Sequence, residues 1–188
     1  MKILTVRAIL FTISLAVYTG VFTMSVYAEE NIFDSNEIPA SALLKNSLST
    51  AENDLRSQVL KTFLEKRQSP LADYADTFIQ VADKYELDWK LVPAISGLES
   101  AFAKRYVQGT YNAYGWGGGY IYFDSWEDSI ETVSAALKDK YINRGALTVN
   151  QIGRIYAPPN PAWGSLVIHI MTDIDKEYQN QSALTLSL

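Results

Sequence analysis

The 188-residue chain carries 16 Lys and Arg against 21 Asp and Glu, a formal charge of -5, with no cysteine and one histidine. An acidic balance argues against nucleic-acid binding, which leaves a basic footprint. Without cysteine there is no disulfide, thiol nucleophile or Cys-ligated zinc, and any Ser-His-Asp chemistry would depend on His169 alone.

Lys2 and Arg7 precede an uncharged, apolar stretch from Ala8 to Ala28, which closes with Val26-Tyr27-Ala28 before Glu29-Glu30. Small residues at the -3 and -1 positions fit a secretory cleavage site after Ala28, so residues 1–28 are expected to be a signal peptide. The 21 uncharged residues from Ala8 to Ala28 could also serve as an uncleaved membrane anchor. Either way the remainder is expected to work outside the cytoplasm. That remainder of 160 residues has 14 basic and 21 acidic side chains, a net of -7.

Residues 29–70 read as a lead-in segment followed by a helix. Ser49-x-x-Glu52 is a capping-box pattern, and Leu55, Val59, Leu60, Phe63 and Leu64 follow at helical spacing to about Lys66. Ser69-Pro70 breaks that helix. A second apolar stripe runs from Leu71 to near Tyr85, and Asp88 is placed to cap a third helix running through Phe102. Residues 104–124 hold five of the ten glycines and seven aromatics, with a short strand expected at Tyr120-Ile121-Tyr122-Phe123. Ser125-x-x-Asp128 opens a fourth helix stopped by Gly145, and Thr148-x-x-Gln151 opens a short fifth. A last helix carries Trp163 to Tyr178, and residues 181–188 read as a frayed tail. The expected fold is mainly α, a helical lobe with a small β-hairpin or aromatic-glycine lobe.

On the third helix Val92, Ile95, Ser96, Glu99, Phe102 and Ala103 share one stripe, which puts Glu99 on the face that should turn inward. A charged carboxylate is costly there, so burial favours the protonated acid that a glycosidase uses on a leaving-group oxygen. The plainer reading is an exposed helix-edge Glu paired with Lys104 or Arg105. The aromatics that follow suit sugar faces, and the interleaved glycines, Gly115 among them, let backbone donors approach a ligand. An ordinary mini-core under a long loop would need the same aromatics, and Phe123 and Trp126 are assigned to one. His169, between Ile168 and Ile170 with no recognisable metal partners, reads as a structural histidine; Asp173, Asp175 and Glu177 read as a solvated helix face, and Trp89 as a staple onto the core.

Four ordered pieces carry a resemblance: Glu99-Ser100, Asn112-Ala113-Tyr114-Gly115-Trp116-Gly117, Phe123-x-Ser125-x-x-Asp128-Ser129, and Tyr156-Ala157 before Pro158-Pro159-Asn160-Pro161-Ala162-Trp163. The chain resembles the lysozyme-like superfamily over residues 71–180. Within it the match is to the mannosyl-glycoprotein endo-beta-N-acetylglucosaminidase-like domain of bacterial autolysins and flagellar peptidoglycan hydrolases. The resemblance implies a glycan cleft, with Glu99 as catalytic acid and Tyr156 opposite it orienting the sugar or stabilising charge on its ring. Ser100 and Asn112 would support the Glu and contact an N-acetyl group, while Tyr114, Gly115, Trp116 and Trp163 would line subsites. Peptidoglycan strands are the implied partner, with a monomeric enzyme and neither cofactor nor metal.

Two features depart from that family. No acid lies between Glu99 and Asp124, so a second carboxylate would have to be Asp124 or Glu127, which also sit where a helix begins. If neither serves, Glu99 acts alone, as in lytic transglycosylases, or the substrate's N-acetyl group assists. A non-catalytic glycan-binding module and a structural or secretion-partner domain are the remaining alternatives. The net of -7 gives no long-range attraction to a polyanionic wall.

Overall fold

The computed structural model describes residues 40–186, so the expected signal peptide and most of the expected lead-in lie outside the described residues. Six α-helices are present there: α1 Ala40–Glu65, α2 Ala75–Lys84, α3 Leu91–Ser100, α4 Trp126–Ala136, α5 Val149–Tyr156 and α6 Trp163–Leu186. The chain is mainly helical, and among the described residues there is no strand. None of the described helices is long and apolar enough to cross a membrane.

Helix α6 is the spine, with α1, α3 and α5 packed along it, while α4 lies against α2 and α3. The core forms where their apolar stripes meet. Leu60, Phe63 and Leu64 of α1, Phe78 and Ile79 of α2, Val92 and Ile95 of α3, Ile130 and Val133 of α4, Ile152 of α5, and Val167 and Ile174 of α6 are all buried. Pro93 is the third residue of α3, where an N–H would have no intrahelical acceptor in any case.

The two later helix starts follow their expected caps. Ser125 Oγ accepts from Asp128 N, and Thr148 with Gln151 forms a complete capping box. Past Ala136, α4 widens into a π turn over Leu137–Tyr141 and tightens into a 3-10 turn over Ile142–Arg144, before Gly145 ends it at φ +98°.

Elsewhere the backbone departs from the sequence reading. Helix α1 starts at Ala40, well before Ser49, because residues 40–48 contain neither Gly nor Pro and a capping-box pattern does not by itself interrupt a helix. Asp88 does not cap α3 directly: its carboxylate accepts from Lys90 N in a turn just before Leu91. At the other end α3 stops at Ser100 instead of Phe102. Ala101, Phe102 and Ala103 are all left-handed, with φ of +51°, +60° and +60°.

Such residues cost roughly 1–2 kcal/mol each and persist only where their surroundings over-determine them. Here Phe102 N donates to Ser96 O, Ala103 N donates to Ser100 Oγ, and Arg105 N donates to Ser100 O. The Phe102 ring meets Phe63 edge-on at 5.7 Å, and its carbonyl accepts from Ser69 Oγ.

The expected tail is helical as far as Leu186. Nor is the acidic face of α6 merely solvated, since Glu177 pairs with Lys66 of α1 and Asp175 with Lys90 before α3. Trp89 packs on Tyr178 of α6, with ring centroids 5.8 Å apart.

The expected strand at 120–123 is absent. Gly115, Gly117, Gly118 and Gly119 all have positive φ, which folds this stretch into successive tight turns that cannot extend into a ladder. One backbone bond, Phe123 N to Thr110 O, joins the two ends of the segment. Beneath it, Tyr106 and Tyr111 pack on Trp126 at 5.0 and 5.3 Å, which is the mini-core expected there.

Because α1 supplies fully buried side chains, it is integral to this core. Leu60→Ala is expected to lower unfolding free energy by about 2–5 kcal/mol, measured by chemical denaturation. A loss below about 0.5 kcal/mol, the range of ordinary surface substitutions, would show that α1 is not part of the cooperative unit.

Candidate active site

Glu99 lies on the last turn of α3, half-buried between the buried Ser96 and Ser100. Its Oε1 accepts from the indole Nε1 of Trp163 at 2.7 Å. Trp163 is the first residue of α6 and only 1% exposed, so this donor comes from inside the core. Lys104 and Arg105 are exposed, and Glu99 takes Trp163 as its partner instead of either.

The other carboxylate oxygen lies under the backbone of Gly115. A methyl group on Gly115 would stand 3.0 Å from Glu99 Oε2, and its φ of +71° is itself unfavourable for an L side chain. Glycine is therefore required twice at this position, for conformation and for close approach.

Tyr156 stacks on Trp163, with centroids 4.8 Å apart and planes 28° from parallel. Its hydroxyl donates to Tyr114 O at 2.6 Å and accepts from Trp116 Nε1 at 3.0 Å. Burial, followed by the negative charge of Glu99, pushes this hydroxyl well above the usual tyrosine range. The phenol therefore keeps its proton and donates it to Tyr114 O, which leaves its oxygen rather than its O–H to meet a ligand. Its oxygen retains one lone pair beyond the bond from Trp116.

Ser100 and Asn112 hold the site together from within. The Ser100 hydroxyl lies 3.0 Å from Ser96 O and 2.8 Å from Ala113 O, and it accepts from Ala103 N. It thereby ties the end of α3 to the glycine segment. Asn112 is 2% exposed, with its amide donating to Trp116 O and Ile121 O and its carbonyl accepting from Tyr114 N and Trp116 N. Asn112 is saturated by the loop and has nothing left for an N-acetyl group.

Tyr114 and Trp163 also sit differently from the expectation. Tyr114 is fully buried, so its ring belongs to the core and not to a sugar subsite. Burial pushes its hydroxyl far up, an effect that Ser129 moderates. Trp163 faces the carboxylate and Tyr156, not solvent.

A cavity of about 310 Å³ opens beside this assembly, at the lower end of the size of small-molecule sites. Its lining comes from the glycine segment (Gly115, Trp116, Gly117 and Ile121), from the end of α4 and its π turn (Ala136, Lys140 and Tyr141), and from Tyr156 of α5. Glu99 is not itself part of the lining; it stands directly behind Gly115. Asp124 and Glu127 are exposed and do not line the cavity, and no carboxylate does. Among the described residues no group of acids or histidine is arranged to hold a metal ion. His169 is exposed on α6, 3.8 Å from Asp173 and away from the cavity lining.

Sequence reading missed the wall made by Ala136, Lys140 and Tyr141. Its only signal is the helical phase of these residues at the end of α4, which the π turn shifts. Compared with known proteins, the chain matches no family model and no curated sequence.

Asn112→Ala is expected to leave buried backbone groups unpaired, at about 1–3 kcal/mol for each group that finds no other partner. Thermal unfolding and faster amide exchange at residues 114–121 would register it. Gly115→Ala is expected to cost about 1–2 kcal/mol from its backbone conformation alone. A melting temperature unchanged by both substitutions would contradict the loop architecture described.

Proposed function

We propose that this chain is an extracytoplasmic peptidoglycan glycosidase of lysozyme-like character, cleaving β-1,4 bonds between N-acetylated sugars with Glu99 as general acid. The observation that carries this reading is the Glu99 carboxylate, held on Oε1 by the buried Trp163 indole, with Oε2 beside the side-chain-free Gly115 that lines the cavity. Because Oε1 is engaged by the indole N–H, Oε2, the oxygen nearest Gly115, is the one that would carry and deliver a proton in this proposal. A glycosidic oxygen reaching Oε2 would receive that proton as the bond to the anomeric carbon breaks.

Tyr156 acts as a positioning residue. It stacks behind Trp163 and fixes the Trp116 indole, and its remaining lone pair can face positive charge developing on a sugar ring. The glycan cleft belongs to this proposal, with Trp116 and the Gly115–Gly117 backbone as one bank. So do export through residues 1–28, a monomeric state and an autolysin-like role.

The acid-free cavity lining supports a second reading, the lytic transglycosylase. Glu99 would first protonate the leaving oxygen and become a carboxylate. The sugar's own 6-hydroxyl would then attack the anomeric carbon while Glu99 takes its proton, closing a 1,6-anhydro ring and restoring the acid. No second carboxylate is needed in that cycle, whereas hydrolysis by an inverting route would require one to activate water.

Zymography on cell-wall gels tests the enzyme reading. Wild type is expected to clear the gel, and Glu99→Gln to lose more than about 100-fold of that activity while keeping its helical circular-dichroism spectrum. Clearing by Glu99→Gln would remove Glu99 from the chemistry, and binding to sacculi without clearing by wild type would favour a non-catalytic module. Mass spectrometry of the fragments is expected to find anhydro ends, and reducing ends alone would return the assignment to hydrolysis. Tyr156→Phe is expected to lower kcat more than it raises KM.

A further inference from the structure

Lys140 is the only charged residue in the cavity lining. It lies on the π turn of Leu137–Tyr141, where the wider turn brings Ala136, Lys140 and Tyr141 together on the cavity wall. Six other lysines have their charge met by a neighbour: Lys61 by Asp73, Lys66 by Glu177, Lys84 by Glu131, Lys90 by Asp88 and Asp175, Lys138 by Glu86, and Lys176 by Asp173. Lys140 has no ion-pair partner among the described residues, although acids outnumber bases in the chain. Its sequence neighbour Asp139 is hydrogen-bonded to Asn143 instead. The rest of the lining is glycine, alanine, isoleucine and aromatic side chains, which can pack on a sugar ring but cannot answer a charge.

We infer that Lys140 is a specificity residue that receives a carboxylate carried by the bound glycan, so that the cavity selects an acid-bearing sugar over a neutral one. This rests on the reading of the cavity as a glycan site. Lys140 is exposed, as a residue meeting an incoming ligand must be, and its flexible stem delivers a point charge with three donors. The two residues then divide the work. Glu99, beside Gly115, meets the glycosidic oxygen, and Lys140 in the lining meets an acidic substituent on the sugar ring. A local cation would also supply at short range the attraction that the overall charge denies to an anionic polymer.

The test uses Glu99→Gln protein, so that the ligand stays intact, and two forms of one probe. The first is peptide-free peptidoglycan strands, whose muramic sugars carry free lactyl carboxylates. The second is the same strands with those carboxylates coupled to methylamine. Calorimetry is expected to show about fivefold tighter binding of the acidic form, the size of one partly screened ion pair. That preference should shrink in 0.5 M salt, vanish in Glu99→Gln/Lys140→Gln, and persist in Glu99→Gln/Lys140→Arg. Equal affinity for both forms in the Lys140 protein would overturn the inference, as would a preference that survives Lys140→Gln or no binding of either form. Cleavage of both forms by wild type with no carboxylate preference would overturn it while leaving the proposed function standing. Carboxylate-dependent binding without any cleavage by wild type would do the reverse.

Discussion

The hydrogen bond from the Trp163 indole to Glu99 is the contact on which the site depends. It joins the end of α3 to the start of α6, two helices that also share the core, and it fixes which carboxylate oxygen is free. The indole N–H orients the carboxylate without bringing a formal charge beside it. Tyr156, stacked on the other side of that indole, carries the same order on to Trp116 and to the carbonyl of Tyr114.

The polypeptide around this contact is costly to maintain. Three consecutive left-handed residues follow Ser100, and four glycines with positive φ cluster at 115–119. Ser100 and Asn112 counter the strain with buried hydrogen bonds, one reaching across from α3 to the loop and the other satisfying the loop from its centre. Backbone strain of this kind concentrates where a precise geometry is worth more than stability. Here it delivers a side-chain-free segment across one face of a half-buried acid.

Much of the helical scaffold was legible in the sequence. Ser125 and Thr148 announced their helices because a side-chain cap is a local interaction, and the stripe containing Glu99 announced its inward face because helical phase is also local. The start of α1 was not legible, since Ser49-x-x-Glu52 is the same pattern inside a helix as at its end. Phe102 continued the apolar phase of α3 while its backbone had already reversed, a choice made by Phe63 and Ser69 from a distant part of the chain. Tyr114 and Trp163 were read as sugar platforms because an aromatic's type does not reveal its burial. The hydroxyl of Tyr156 and the amide of Asn112 were assigned to a ligand when the protein's own backbone already engages them. Lys140 was passed over because its meaning depends on the π turn and on the absence of a partner, neither of which a single sequence displays.

The account makes Trp116 and Trp163 witnesses of the site and leaves Trp89 and Trp126 outside it, packed on Tyr178 and beneath the loop. Indole-selective nitrogen NMR of Glu99→Gln protein, titrated with peptidoglycan glycan oligomers, addresses all four at once. The account predicts that the indole signals of Trp116 and Trp163 move with saturation while those of Trp89 and Trp126 stay in place. Signals of Trp116 and Trp163 that remain fixed at high glycan concentration would contradict it.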